Sequence, residues 1–367
     1  MNILLVSDDM LLGGAARHIV DVANALSGEG TQVTVAATDG VMRRQLSSKV
    51  EFVELFMKDN HTTKNSYTGF FPSYRKLAAA VSGEKFDIIH SHKRYSHLLA
   101  ALVARRYRIP HITTYHTLFT GKKLFSFFGD HTICCSESIR KSLVGDFSRR
   151  GDCTITIHNG IHPLRTFNAE ERQTAKAALA IPETNVVIGS IGQFVPEKDR
   201  LTLLQSIHEL NNRSLLEGVT VLIQGYGPQE QMLRTLCSDL RLDLFVRFIG
   251  GDEPVERTCN ISDFMILNSV IEGFPLILLE AASVGVPHIA SNISGIPKFI
   301  DHGVTGLLIE PRNSVQLTEA IIAFRNDPEL RRTLGKNAQR KYEQQFTFPV
   351  MLERMKEVYS QVRGKQN

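Results

Sequence analysis

The chain has 367 residues, 43% of them apolar and 22% charged, which is the composition of a soluble protein with two or three globular domains. A net charge of +4 is too small to indicate nucleic-acid binding, and five scattered cysteines exclude a disulfide scaffold and a zinc-finger spacing. No apolar run reaches the roughly 18 to 20 residues of a bilayer span, and no basic segment precedes the first one, so we expect a cytoplasmic protein without a signal peptide.

Short apolar runs alternate with amphipathic stretches along the whole chain, as in parallel strands joined by helices. The first series of predicted strands comprises Ile3–Ser7, Gln32–Ala36, Asp87–Ser91, His111–Tyr115, Thr132–Cys135 and Thr154–His158. The second series comprises Val186–Ile191, Thr220–Gln224, Val246–Ile249, Phe264–Leu267, His288–Ala290 and Gly306–Ile309. Together, the two series predict an α/β protein with two Rossmann-like, doubly wound domains at 1–165 and 166–345. These domains are expected to face a central cleft at the carboxyl ends of both sheets. A helix at 346–367 is expected to return to the first domain.

Positive charge is concentrated in residues 61–150, which contain fifteen Lys or Arg and five Asp or Glu, a net charge of +10, whereas the rest of the chain is net −6. One interpretation is that this stretch binds an anionic membrane surface or a charged, lipid-linked acceptor. The other is that its charges lie on solvated helix faces and bind no partner. Within it, the segment 122–128 combines two lysines with three phenylalanines and is a candidate membrane contact, or else part of the core.

Glycines and a lysine follow the first strand of each predicted domain. Gly13 and Gly14 precede an amphipathic helix, where paired glycines let backbone N–H groups approach an anionic oxygen, although a tight turn alone also explains them. Without a Gly-x-Gly-x-x-Gly pattern, a nicotinamide cofactor is not expected. In the second domain Lys198 follows Val186–Ile191 and is placed either to neutralise a phosphate or as a solvated charge.

Two carboxylates belong to the segment 268–281. Pro275 suits the first turn of a helix, Pro275–Val284, which is otherwise apolar, so Glu280 is predicted to be buried and hydrogen-bonded to ribose hydroxyls or to backbone amides. Glu272 stands just before this helix beside Gly273. A glycosidase pair is disfavoured, because eight residues along a helix span about 12 Å and paired glycosidase carboxylates lie about 5 to 9.5 Å apart.

Histidines are frequent in the first half of the chain. His90 and His92 lack an acidic or cysteine partner at metal-ligand spacing, so we expect no metal site there. His116, at the end of a predicted strand, is either a ligand to a sugar hydroxyl or a buried, hydrogen-bonded histidine. No Asp-x-Asp pair is present, so a diphosphate would be neutralised by backbone amides, helix dipoles and Lys198 without a metal.

Six sequence blocks, in order along nearly the whole chain, resemble the family-4 glycosyltransferases. They are 13–18, 87–92, 114–116, 157–161, 195–198 and, most specifically, the Glu-(seven residues)-Glu block within 269–287. The resemblance implies a GT-B fold and metal-independent transfer of a sugar with retention of configuration, the nucleotide-sugar being held mainly by the C-terminal domain. It matches Glu280 to the donor ribose, Glu272 to the transferred sugar, Lys198 and Gly14 to the diphosphate, and His116 to the reacting centre. The neighbouring Gly13, Gly273, Phe274 and Pro275 are expected in the donor site as well.

The sequence departs from the family pattern at two positions. Gln193 stands where an arginine is common, and Lys298 stands where a glutamate is common, so we expect Lys298 to restore the charge lost at Gln193. We expect a glycosyltransferase that moves a sugar from a nucleotide-sugar, UDP-linked in our expectation, to a glycan or lipid-linked acceptor of cell-surface polysaccharide or lipopolysaccharide synthesis. We expect this enzyme to need no cofactor and to work in the cytoplasm or at the inner face of the membrane. A GT-B phosphorylase or epimerase and an inactive donor-binding subunit are the alternatives.

Overall fold

The computed structural model describes residues 1–57, 69–117 and 128–364, which form two compact units. Unit 1 comprises the described residues of Met1–Asn159 and Met351–Asn367, and unit 2 is Gly160–Val350. The sequence placed these divisions after residues 165 and 345. Most of the basic segment 122–128 lies outside the described residues. No helix among the described residues is both long and apolar enough to cross a membrane.

Unit 1 contains a seven-stranded parallel sheet in the order β3-β2-β1-β4-β5-β6-β7. Its strands are β1 Asn2–Asp9, β2 Gln32–Thr38, β3 Val50–Glu54, β4 Ile88–His92, β5 His111–Tyr115, β6 His131–Cys134 and β7 Thr154–Thr156. Its helices are α1 Gly14–Gly28, α2 Phe70–Gly83, α3 Arg94–Tyr107 and α4 Glu137–Gly145. β1 is buried along its whole length, which explains its continuous apolar run.

Unit 2 contains a six-stranded parallel sheet in the order β10-β9-β8-β11-β12-β13. Its strands are β8 Val186–Ile191, β9 Val219–Gly225, β10 Val246–Gly250, β11 Phe264–Leu267, β12 His288–Ser291 and β13 Gly306–Ile309. Its helices are α5 Ala169–Ala178, α6 Arg200–Asn212, α7 Glu230–Asp239, α8 Val255–Ile261, α9 Leu276–Ser283, α10 Ile296–Phe299, α11 Ser314–Asn326 and α12 Pro328–Gln345. The last helix, α13 Phe348–Gly364, begins in unit 2 and continues into unit 1.

These two sheets confirm the predicted α/β class. In both, the strand order reverses beside the first strand of the unit, between β1 and β4 and between β8 and β11. Loops that leave the two strands on either side of such a point diverge, and ligands of doubly wound folds bind there, at the carboxyl ends of the strands. The topology therefore directs attention to the loops after β1, β4, β8 and β11.

Candidate functional site

The loops after β8 and β11 lie side by side at the point where the strand order of unit 2 reverses. They comprise residues 192–199 and 268–275 and carry most of the predicted donor-binding residues. Two hydrogen bonds join them: Val270 N–H donates to the Glu197 carbonyl at 2.8 Å, and the Asn268 amide Nδ2 donates to the Asp199 carbonyl at 2.5 Å. Two bonds to main-chain carbonyls, one from a backbone N–H and one from the neutral Asn268 side chain, therefore help to fix the relative position of the loops without using a charged side chain.

Lys198 and Glu272 form an ion pair across these two loops, with 2.5 Å between Nζ and Oε1. Glu272 is 8% exposed, and the same oxygen accepts a hydrogen bond of 2.7 Å from Ser269 Oγ. Burying a carboxylate is costly unless it is paired and hydrogen-bonded, and both conditions are met here. An ammonium group has three N–H donors, so Lys198 can hold Glu272 and a phosphate oxygen at the same time.

Glu280 lies on the short helix that follows the second loop. α9 begins at Leu276, one residue later than predicted, and Pro275 occupies the N-cap position. Glu280 is 5% exposed, as the apolar surroundings predicted. Phe274 is also buried, and its ring stacks on Phe346 with the centroids 5.3 Å apart. The structure thus gives the Phe274 side chain a packing role, which anchors the loop that carries Glu272 and Gly273.

The two residues that depart from the family pattern lie on different elements: Gln193 belongs to the first loop, and Lys298 belongs to α10. Gln193 donates from Nε2 to Tyr226 Oη at 3.3 Å and brings no charge. Lys298 is exposed on α10, and the residue before this helix, Gly295, donates its N–H to the Gly273 carbonyl at 3.0 Å. Lys298 forms no ion pair among the parts of the chain that the structure describes. Its ammonium group is therefore an available cation on an element tied to the Gly273 loop.

Arg200 is a buried cation that sequence reasoning missed. It is 1% exposed, donates from its guanidinium to Ser190 Oγ, and lies 3.5 Å from the Gly192 carbonyl. Burial lowers the pKa of Arg200 to about 10, and the negative charges of Glu272 and Asp199 oppose this shift. The sequence spacing could have revealed this burial. Arg200 shares the buried face of α6 with Leu203, Leu204 and Ile207, at the intervals of an amphipathic helix.

Two glycines on the neighbouring strand end hold the Lys198 loop in place. Gly225 and Gly227 have φ angles of +158° and +152°, which side chains rarely adopt. A Cβ atom at Gly225 would collide with the Gly192 carbonyl, and one at Gly227 would lie 2.6 Å from the Phe194 carbonyl oxygen. Phe194 N–H also donates to the Tyr226 carbonyl at 2.7 Å. The first loop is thus packed directly on the backbone after β9.

In unit 1 the predicted phosphate-binding glycines begin α1. Gly13 is the N-cap residue in an extended conformation, and a Cβ atom there would meet nothing within 4 Å. Packing within the described chain therefore does not require a glycine at 13, whereas close approach by a ligand to the first N–H groups of the helix would. β1 extends to Asp9, two residues beyond the predicted end of this strand at Ser7, so Asp8 and Asp9 are strand residues.

Asp8 is a second buried charge that sequence reasoning missed. Its Oδ1 accepts hydrogen bonds of 2.7 Å from both the N–H and the Oγ of Ser96, and burial raises the pKa of this carboxyl to about 6. Its Oδ2 is buried without a hydrogen-bond partner among the described residues. The next residue, Asp9, pairs with Lys93 at 2.7 Å.

His116 lies directly after β5 and contacts a second histidine. Its Nε2 is 3.1 Å from His92 Nδ1, and the rings of His116 and His18 meet edge to face with centroids 5.0 Å apart. Burial lowers the pKa of His116 well below its usual value, and nearby His18 and His90 lower it further, so the ring is neutral at pH 7. A neutral imidazole can accept a proton or a hydrogen bond from a hydroxyl group.

Comparison with known proteins identifies both halves of the chain. The family model described as Glycosyltransferase Family 4 matches residues 12–165, and that described as Glycosyl transferases group 1 matches residues 171–341. The N-acetyl-alpha-D-glucosaminyl L-malate synthase of Bacillus anthracis is 27% identical over 322 residues, 83% of this chain and 84% of that protein. A D-inositol 3-phosphate glycosyltransferase of Saccharomonospora viridis is 26% identical over 303 residues, 75% of this chain and 70% of that protein.

Solved structures show the same fold. Anabaena Alr3699/HepE in complex with UDP-glucose superposes with a TM-score of 0.86 at 19% identity, over 98% of this chain and all of that one. WaaG, a glycosyltransferase involved in lipopolysaccharide biosynthesis, gives a TM-score of 0.76 at 17% identity, over 96% of this chain and 98% of that one. The expectation of a GT-B fold is confirmed by these likenesses together with the two parallel sheets.

Proposed function

Because this chain is a family-4 glycosyltransferase, of the glycosyl transferases group 1, we propose that it moves a sugar from a UDP-linked donor to a hydroxyl group of a glycan or lipid-linked acceptor, with retention of configuration and without a metal ion. The observation that carries the proposal is the Lys198–Glu272 pair, which joins the loops after β8 and β11 and precedes the helix of the buried Glu280. Solved structures of the same fold in complex with UDP and UDP-glucose support the donor class.

Three charged residues of unit 2 have a part in the proposed reaction. Departure of UDP leaves an oxocarbenium-like sugar and places negative charge on the leaving phosphate, which Lys198 stabilises more strongly than it stabilises the bound donor. Glu280 holds the ribose hydroxyls, and Glu272 contacts the transferred sugar while it orients Lys198. In the front-face route, the leaving phosphate accepts the proton of the acceptor hydroxyl as the new glycosidic bond forms. Neutral His116 accepts a hydrogen bond from a sugar hydroxyl in unit 1.

A small anionic acceptor is the second candidate. Two of the similar relatives are named for malate and for inositol 3-phosphate, which are small acids with hydroxyl groups. Transfer to such an acceptor would use the same donor site and a smaller acceptor site. For a glycan or lipid-linked acceptor, we propose that the protein works in the cytoplasm, at the inner face of the membrane.

The donor site is tested by thermal unfolding with UDP, GDP, ADP and CMP, each with and without EDTA. A nucleotide at 100 times its Kd adds about 2.7 kcal/mol to the free energy of unfolding. We expect UDP alone to raise the melting temperature, EDTA to leave this shift unchanged, and Glu280→Ala to abolish it. Glu319→Ala, at an exposed residue of α11, is the matched control and keeps the shift.

The reaction is tested next, with UDP-sugars and with lipid-linked oligosaccharides, L-malate or inositol phosphate as acceptors. Product with retained anomeric configuration supports the proposal, and the acceptor that reacts selects between its two forms. Phosphate-dependent turnover would indicate a phosphorylase, turnover without an acceptor an epimerase, and UDP binding without any product an inactive subunit. A shift that EDTA removes would contradict metal independence.

A further inference from the structure

Three histidines converge at the carboxyl end of the unit 1 sheet. His18 lies on α1, His92 ends β4, and His116 follows β5. One ring nitrogen of each lies within 4.8 Å of those of the other two, and 3.1 Å separate His92 Nδ1 from His116 Nε2. Three separate elements thus bring potential metal ligands to one point, which no spacing along the sequence reveals.

The hydrogen bonds of this cluster are incomplete. The Nε2 atoms of His18 and His92 are buried without a hydrogen-bond partner among the described residues, and these side chains are 7% and 0% exposed. Buried polar atoms are nearly always satisfied, so an orphaned ring nitrogen indicates a missing partner. His92 contacts His116 through Nδ1, so its orphaned Nε2 lies on the other side of the ring and is not a ligand to the same ion. The orphaned Nε2 of His18 is therefore the atom that lacks a partner at this cluster.

The rings are in the protonation state that a metal requires. Burial lowers the pKa of His18 to about 4, and the pKa values of His92 and His116 fall well below their usual value for the same reason. All three therefore keep a free lone pair at neutral pH. The nearby ammonium group of Lys93, which opposes any positive charge on His116, is offset by its ion pair with Asp9.

We propose that His18, His92 and His116 form a binding site for one divalent transition-metal ion, with a fourth coordination position open. Zinc–nitrogen bonds of about 2.0 to 2.1 Å in a tetrahedral site place the nitrogens about 3.4 Å apart. The His92–His116 separation is close to that value, and small rotations of the rings about their broad terminal torsions bring His18 nearer. Neutral imidazoles select zinc, cobalt, nickel or copper and disfavour magnesium and calcium.

The functional consequence rests on the proposed function. Transfer itself needs no metal, but an ion that takes the lone pair of His116 withdraws this residue from its hydrogen bond to the sugar hydroxyl. Zinc therefore acts as a reversible inhibitor of the transferase, and EDTA restores the activity.

The site is tested by titrating the EDTA-stripped protein with Co²⁺ and recording its visible absorption. We expect one Co²⁺ per chain in a low-symmetry, nitrogen-bound environment, displaced by Zn²⁺ and unaffected by excess Mg²⁺. His18→Gln and His92→Gln are each expected to weaken Co²⁺ binding at least tenfold. His111→Gln, at another buried histidine of the same sheet, is the matched control and retains binding.

The binding experiment tests the metal site, and the inhibition experiment tests its effect on transfer, so each can contradict its own part of the proposal. Absence of a Co²⁺ signal from the wild type, or equal binding by His18→Gln, would overturn the site whatever the enzymatic activity. If His92→Gln does not fold, His18→Gln on the outer helix decides the question alone. Zn²⁺ inhibition should follow the same binding curve as Co²⁺ displacement, and a bound metal that leaves transfer unchanged would overturn the inhibitory role only.

Discussion

Arg200 illustrates how a buried charge supports a site that it does not line. Its guanidinium contacts Ser190 and the Gly192 carbonyl, beneath the loop that carries Lys198. A Cβ atom built at Gly192 would lie 3.1 Å from Arg200 Nη2 and 3.6 Å from Lys198 Cε, so both cations flank the same backbone position. The positive charge of Arg200 offsets Glu272 from within the core.

Arg200→Met is expected to destabilise the protein by about 3 kcal/mol, because it removes one member of a buried set of charges and hydrogen bonds. Urea unfolding measures this change. Arg213→Met is the control: Arg213 forms two ion pairs of 2.8 Å at the surface, and its loss is expected to lower the free energy of unfolding much less than the loss of Arg200 does. Equal losses for the two variants would contradict a supporting role of Arg200.

Lys298→Ala is expected to weaken UDP binding about three- to tenfold, since it removes an exposed cation from the element tied to the Gly273 loop. Calorimetric titration with UDP measures this change. In a Gln193→Arg background the same substitution should have a smaller effect, because the charge is then supplied at the family position. Unchanged affinity in Lys298→Ala would show that Lys298 does not compensate for Gln193.

Single residues were predicted unevenly, for physical reasons. The burial of Glu280 followed from its apolar neighbours, because a helix that is apolar on all sides has no exposed face for a carboxylate. The Lys198–Glu272 contact joins residues 74 positions apart, and only the register of β8 beside β11 brings them together. For the same reason the meeting of His18, His92 and His116 could not be predicted from local spacing.

At the scale of elements, long buried strands were the most predictable, and the edge strand β3 was not predicted. Val50–Glu54 is short and half-exposed, and glutamates interrupt its apolar residues, so it carries neither a continuous apolar run nor a regular buried face. Boundaries moved by one or two residues where caps decide them, as at Pro275 before α9. The order of strands within each sheet required the structure.

Gly227→Ala is expected to weaken UDP binding at least tenfold, because a Cβ atom at this position displaces the backbone of the Lys198 loop. Calorimetric titration and urea unfolding together separate the binding defect from a loss of stability. Gly218→Ala is the matched control, since Gly218 also has a positive φ, +71°, but its Cβ atom would meet nothing within 4 Å. Both variants should have a lower free energy of unfolding than the wild type. Only Gly227→Ala should also bind UDP more weakly.

At the scale of the whole molecule, the described residues include seven buried histidines with lowered pKa values: His18, His90, His92, His97, His111, His116 and His288. Each binds its proton more readily in the unfolded chain, whose pKa is near 6.5, than in the folded one. Their contribution to stability is therefore present above about pH 6.5 and is lost as the pH falls toward the folded values, about 4 for His18 and about 3 for His288. Asp8, with its pKa raised to about 6, binds its proton more readily in the folded chain and so stabilises the fold as the pH falls. This single group opposes the seven histidines.

The free energy of unfolding is therefore expected to fall steeply between pH 6.5 and 5, with about 1.4 kcal/mol per pH unit for each proton taken up. Urea titrations at a series of pH values, in EDTA, measure the slope. His288→Gln should reduce the proton uptake by about one, with His302→Gln as the exposed comparison. A slope that is the same in His288→Gln and the wild type would contradict this account.

The last helix gives the two units a fixed order of completion during synthesis. α13 supplies unit 1 with Tyr359, whose hydroxyl group is 2.8 Å from His90 Nδ1, and with Lys356, which pairs with Glu29 at 2.6 Å. These residues leave the ribosome only after every residue of unit 2, so unit 2 can reach its final fold while the sheet of unit 1, begun first, still lacks its closing helix. A premature stop codon near residue 350 would therefore leave unit 2 able to fold. It would damage unit 1, although unit 1 is the unit whose translation began first.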